Sequence, residues 1–379
     1  MRQIRLFSAI WFTAMTMVAG AQTVSVKGQM SSWGILNFDD LRHPQLGIRY
    51  IPALYGEAGT GSSGLFDGEA SVNMYGSTRF SGGSDGCFQN EVKPYRAWIR
   101  YSTPQLEVRL GLQKINFGPA RMLRPLMWFD MIDPRDPLQL TDGVWGGLVR
   151  YYFLNNTNIW AWALVGNEDP KGWEVFGSDG RTPEYGGRIQ VPVPAGEAGF
   201  SYHHRRVSAE GFAGVVPGLS RGRFMEDRYA LDCRLDITIG LWCEAALTRQ
   251  AAAMPFRTRT MINLGADYTF GLGNGLLVTA EHLAMRTGED AGKDGEDFHI
   301  TGASANYPLG LLDAATVMVY RDWESESWYR FFSFQRTYDR WQLFFIAFWN
   351  PDQFQIYRTM GDENLFAGRG IQLMAVFNH

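Results

Sequence analysis

Two sets of side chains in this chain have the types and spacing that handle ions. The first lies between Asn116 and Gly143, where Arg121, Arg124, Asp130, Asp133, Arg135 and Asp136 alternate with four prolines and with Met122, Leu123, Leu126, Met127, Trp128 and Phe129. Asp130, Asp133, Asp136 and Asp142 could offer the oxygens that calcium takes, but their spacing is not that of an EF-hand loop. Beside Arg124 and Arg135 the same carboxylates read as an ion-pair network, and no metal is expected. A stretch this apolar does not stay in water, so it is expected to pack inward and leave its charges facing a polar space.

The second set is spread along the chain. Arg96, Arg100, Arg109, Arg150, Arg188, Arg205, Arg228, Arg234, Arg257 and Arg259 fall on the polar side of alternating segments, against Glu107, Asp232, Asp236, Glu244, Asp267 and Glu281. A positive lean of this kind fits either anion preference or simple bracing by ion pairs. Catalytic chemistry finds no such set. There is no Gly-x-Ser-x-Gly elbow, no Cys-x-x-Cys and no His-Glu-x-x-His, while His203 and His204 are adjacent, face opposite sides of a strand and have no evident partner. No enzyme and no cofactor are expected; a hydrolase would need a nucleophile at one rim of the fold.

The elements that hold these residues are strands. In Leu106 to Gln113 the even positions are apolar and the odd ones charged, polar or glycine, and the same period recurs from Tyr95, Gly187, Ala198, Leu231 and Ile262. The alternating segments are 24–38, 45–57, 65–80, 92–103, 106–117, 143–153, 157–167, 184–194, 196–208, 226–238, 240–250, 257–270, 275–286, 298–308, 313–323, 327–337, 340–349 and 368–378. They run about ten residues, matching the ~9–11 of a tilted membrane-crossing strand rather than the ~5–6 of ordinary strands. A secreted soluble sandwich would alternate too. Aromatic clusters at segment ends, such as Tyr151 to Phe153 and Phe344 to Trp349, favour a transmembrane barrel with interfacial girdles.

Composition agrees, with 43 Gly, 25 Phe, 16 Tyr and 13 Trp among 379 residues. The net charge of -4 names no partner, and no basic tract suggests nucleic acid. Residues 1–21 have a basic start (Arg2, Arg5), an apolar run from Leu6 to Val18 and Ala19-Gly20-Ala21, the pattern of a cleaved signal peptide; an uncleaved anchor is the alternative. Elsewhere no run approaches the ~20 apolar residues of a membrane helix.

The final segment, Gly368 to His379, carries Ile371, Leu373, Ala375 and Phe377 on one face and Gly370, Gln372 and Met374 on the other. With the leader, it resembles the closing strand of an exported bacterial outer-membrane β-barrel. The stretch around Asp133-Pro134-Arg135-Asp136 is similar to the inward-folded loop of porin-like barrels. The resemblance implies an all-β protein of Gram-negative type: residues 22–379 form a single transmembrane antiparallel up-and-down β-barrel of about 18 strands with an inward-folded loop at 118–142. It implies an outer-membrane location after signal-peptide cleavage, outer-membrane lipid as surroundings, and passive diffusion of small hydrophilic solutes, anionic ones among them. The expected pore-lining or constriction residues are Arg96, Arg100, Arg109, Arg121, Arg124, Asp130, Asp133, Arg135, Asp136, Arg150, Arg188, Arg205 and Arg234. The alternative is a closed barrel that binds or anchors surface polysaccharide.

Short connections, such as Thr103-Pro104 and Tyr338-Asp339, should be periplasmic. The long ones, 118–142, 168–183, 209–225, 287–297 and 350–367, should be extracellular, and several read as solvated loops. Cys233 and Cys243 flank a hairpin centred on Thr238, so a symmetric register sets them opposite on the lipid face, within reach of a disulfide; two free thiols are the other reading. Cys87, in a presumed 81–91 loop, should stay unpaired.

Overall fold

The computed structural model describes residues 22–379 apart from 42–43, 60–63, 82–83, 211–221, 252–256, 290–294 and 352–365. The presumed signal peptide, 1–21, lies outside the described residues. Every alternating segment forms a strand: β1 (Thr23–Asn37), β2 (Gln45–Gly59), β3 (Leu65–Ser81), β4 (Ser84–Ser102), β5 (Leu106–Gln113), β6 (Val144–Tyr152), β7 (Asn158–Leu164), β8 (Glu184–Val193) and β9 (Gly196–Ser208). The second half continues with β10 (Arg223–Asp236), β11 (Gly240–Gln250), β12 (Thr258–Phe270), β13 (Leu276–Gly288), β14 (Gly295–Pro308), β15 (Asp313–Asp322), β16 (Trp328–Thr337), β17 (Trp341–Trp349) and β18 (Arg369–Asn378). Each strand pairs antiparallel with its chain neighbours and β18 pairs back onto β1, so the 18-stranded sheet closes and leaves no edge. The seam extends to the last residue, where the His379 N–H donates to the Gly28 carbonyl at 3.0 Å and the His379 carbonyl accepts from the Gly28 N–H at 2.9 Å.

Alternation gives the barrel its two surfaces. Leu110, Leu231, Leu264 and Leu373 project outward and are more than half exposed, as side chains bound for lipid must be. Connections alternate as well: 103–105, 153–157, 194–195, 237–239, 271–275, 309–312 and 338–340 are short at one end, while 114–143, 165–183, 209–222 and 350–368 are long at the other.

Several boundaries differ from the sequence reading. Strand β4 starts at Ser84, so Cys87 is not in a loop but in a strand opposite Arg79. Strands β13 and β14 take up much of the presumed loop 287–297, and β10 starts at Arg223. Arg257 precedes β12 and is exposed, so it is not a wall residue. Strand β5 stops at Gln113 because the chain there turns into the barrel, where Ile115 is fully buried.

The inner wall is not uniformly polar. Ile300, Met318, Tyr320, Phe331, Phe344, Phe348, Met374, Val376, Trp33 and Ile35, on β14 to β18 and β1, form one cluster with Ile115, Phe117, Met122, Leu123, Leu126, Trp128 and Phe129. The inward-folded segment therefore has an apolar seat, which the count of inward charges did not reveal.

Candidate functional site

The segment 114–143 is fixed by wall carboxylates acting as hydrogen-bond acceptors. Glu281 on β13 accepts the backbone N–H groups of Arg121 (2.7 Å), Met122 (3.1 Å) and Leu123 (2.6 Å), while Glu244 on β11 accepts those of Ala120 (2.8 Å) and Leu126 (3.3 Å). Asn263 on β12, between them, donates to the Leu123 carbonyl at 2.8 Å. Approach this close requires Gly118: its φ is +95° and a Cβ would lie 2.3 Å from the Glu244 carboxylate. Phe117 and Phe129 then pack against Trp128 and Trp162 with ring centroids 5.4–6.4 Å apart.

Within the segment the charges close on one another. Arg124 makes a forked bond to Asp130 (2.7 and 3.2 Å), and Arg135 to Asp133 (2.7–3.0 Å). Asp136 accepts the N–H groups of Leu138 and Leu140. Arg124, Asp130, Asp133 and Arg135 are buried, which corrects the expectation that they face an aqueous lumen: they build the segment instead. Among the described residues no cluster of three or more His, Cys, Asp or Glu is placed to hold a metal ion.

A second connection also folds inward. Residues 165–183 dock on the first segment through a 2.8 Å bond from Trp173 Nε1 to the Arg124 carbonyl, and Gly172 (φ +46°) touches the Met127 carbonyl where a Cβ would sit 2.0 Å away. Glu174 of this connection reaches Arg205 (2.9 Å) and Arg228 (2.6 Å), both of which also bind Glu226 at 2.6 Å, and Arg259 donates to the Trp173 carbonyl. The solvated loop expected at 168–183 is thus seated inward in part, with Lys171, Glu174 and Phe176 buried while Glu168, Asp169 and Val175 stay exposed. Its sequence signal was the apolar Trp173 and Phe176 amid Gly and Asp.

Arg188 forks onto Asp232 (2.5 and 2.8 Å), so it and Arg205 are buried in ion pairs rather than set along open space. His203 has partners after all, Trp162 at 3.1 Å and Glu184 at 3.2 Å; His204, on the outer face, meets Asp227 at 2.8 Å. Arg96 is buried as well and donates to the carbonyls of Tyr95 and Thr141.

One partly exposed group of charges inside the barrel lies at the short-turn end. Arg100 on β4 stands directly opposite Arg109 on β5, and these like charges tolerate each other because Asp67 forks onto Arg100 (2.7 and 2.8 Å) while Glu107 bonds Arg109 (2.9 Å). Arg150 on β6 joins through Glu107 at 3.6 Å and lies over Trp160, as Arg109 lies over Trp98. A second group joins Arg234 to Asp236 (2.7 Å) and Asp267 (3.3 Å), with Arg121 reaching down from the inward segment to Asp267 at 3.0 Å. Of the residues singled out in the sequence, the structure brings together Arg100, Arg109 and Arg150, and separately Arg121 and Arg234.

No family model matches the sequence and no curated protein matches it. Among solved structures the chain is similar to Acinetobacter baumannii OccAB4 (TM-score 0.57, 8% identity, covering 95% of this chain and 98% of that one). It is likewise similar to Pseudomonas aeruginosa OccK5 (TM-score 0.54, 11% identity, 94% and 98%). Salmonella typhi OmpF, in its complex with daunomycin, gives a TM-score of 0.50 at 9% identity, covering 94% and 97%. At these identities the likeness is one of fold: the chain has the closed antiparallel barrel of bacterial outer-membrane porins.

Proposed function

We propose that this chain is an outer-membrane channel through which small hydrophilic solutes diffuse, with a weak preference for anions. The leader 1–21 would take it out of the cytoplasm, and the long connections would face the exterior. The observation that carries the reading is the group of partly exposed guanidinium ions, Arg100, Arg109 and Arg150, on three adjacent strands, held by Asp67 and Glu107. Meanwhile Glu244 and Glu281 lie behind the inward segment with their oxygens engaged by backbone N–H groups. A solute on this path meets the guanidinium N–H donors left over by these ion pairs, which suit carboxylate or phosphate. Reconstitution in a planar bilayer tests it. Steady ohmic steps and a zero-current potential of the anion-preferring sign are expected; a clear cation preference overturns the selectivity.

A closed barrel that anchors surface polysaccharide is the second reading. It draws support from the two inward connections and the apolar half of the interior. Electrical silence together with glycan binding would establish it in place of the channel.

A further inference from the structure

The outer face of β15, β16 and β17 carries charge where a barrel meets lipid. Arg321 and Arg330 point outward at the long-connection end and alternate with three tryptophans. The Arg321 guanidinium lies 5.7 Å from the Trp323 ring and 5.4 Å from Trp328; that of Arg330 lies 5.9 Å from Trp328 and 5.3 Å from Trp349. The three rings are 45–60% exposed, so this is a surface array and not a core contact. Register makes the alternation, since Arg321 stands opposite Trp328 and Arg330 opposite Trp349.

Neither arginine has a carboxylate partner among the described residues. Arg321 donates only to the Glu326 backbone carbonyl, Glu324 is engaged by the His299 N–H at 2.8 Å, and Asp322 is buried on the inner face with Ser325. Several other outward arginines are paired, Arg286 with Asp297, Arg369 with Asp39 and, at the opposite rim, Arg336 with Asp313, while Arg249 on β11 is exposed and, among the described residues, stands apart from any tryptophan array. A charge on the lipid face is unfavourable unless something answers it, and stacking on indole answers only part. Directly toward the membrane centre lie Val317 and Phe332, also outward and exposed, which offer an apolar bed below the cationic pair.

We propose that this Arg-Trp array binds the phosphate of an outer-leaflet lipid, with its acyl chains along Val317 and Phe332. The inference rests on the membrane-barrel reading above. A free phosphate would satisfy the guanidinium groups but not use the apolar bed, so the lipid is the partner assigned.

The test is native mass spectrometry of the detergent-solubilised full chain titrated with bisphosphorylated lipid A. Binding should be roughly thirtyfold weaker in the double variant Arg321→Gln/Arg330→Gln, on the scale of two arginines at a lipid surface, and unchanged in Arg286→Gln. Inorganic phosphate should not compete. Unaltered affinity in the double variant overturns the proposal, as does full competition by inorganic phosphate. If the double variant does not fold, the wild-type comparison decides: equal affinity for phosphatidylcholine and lipid A overturns the site, and a marked preference for lipid A supports it. Failure of the wild-type chain to insert into vesicles at all would instead count against the membrane reading, which separates the two claims.

Discussion

Glu281 shows how a charged residue can serve structure in a barrel lumen. Its carboxylate accepts three successive backbone N–H groups from Arg121 to Leu123, so its removal strands three donors in a buried setting. Each lost partner costs about 1–3 kcal/mol where water does not enter. Glu281→Ala should therefore free the inward segment, seen as new proteolytic cleavage within 118–126 and noisier conductance, while Glu281→Gln keeps an acceptor and shows a smaller effect. Uncut segment in Glu281→Ala would mean that apolar packing alone holds it. Asp39, in the β1–β2 connection, behaves differently. Its hydrogen bonds with Arg369, the shortest 2.5 Å, hold the carboxyl below the usual range. Because the folded value is the depressed one, the tie is complete above the ordinary value of ~3.9 and is lost as pH falls through the folded value. Amide protection at residues 38–41, taken relative to the intrinsic exchange rate, should fall below about pH 4, and Asp39→Asn should show the lower protection at neutral pH already.

At the scale of elements, strands and connections carry different loads. The ladder between neighbouring strands holds the barrel, whereas the segment 118–142 fills it, so replacing that segment by a short turn should raise conductance while the barrel keeps its heat-modifiable mobility. Unchanged conductance with an intact barrel would defeat the idea that this segment narrows the path. The deletion also uncovers Tyr320, Phe331 and Met318, and reduced thermal stability is expected with it. The β10–β11 hairpin gives a second element-scale prediction. Cys233 stands directly opposite Cys243 in the register, and both are free thiols. Opposed residues have Cα atoms ~4.5 or ~5.5 Å apart, inside the span a disulfide tolerates. A mild oxidant should join them, and mass spectrometry of non-reduced peptides would show it; two separately alkylated thiols after oxidation would exclude it.

For the whole molecule, the selectivity proposed here comes from the partly exposed guanidinium group of Arg100, Arg109 and Arg150, so it should be screened. The zero-current potential should be clear near 0.1 M salt and small near 1 M, as the Debye length falls from ~10 to ~3 Å. A preference that persists at 1 M would point to direct coordination of the solute instead.

The sequence by itself determined the strands, their number and their two faces, because a period of two survives in each segment whatever it packs against. It also determined the Cys233–Cys243 register, since a tight hairpin at residues 237–239 fixes pairing locally. The ends of β5 and the start of β4 were not legible, because where a strand stops depends on its neighbours. Tertiary structure alone decided the fate of the inward charges. Arg188 and Arg205 look like lumen residues by alternation, yet each meets a carboxylate brought by another strand or connection and is buried, whereas Arg124 and Arg135 pair inside their own segment, as its composition suggests. Ion pairing and loop seating depend on contacts across the barrel, such as Glu281 with Leu123 or Arg205 with Glu174, and a one-dimensional pattern carries no distance between residues so far apart in the chain.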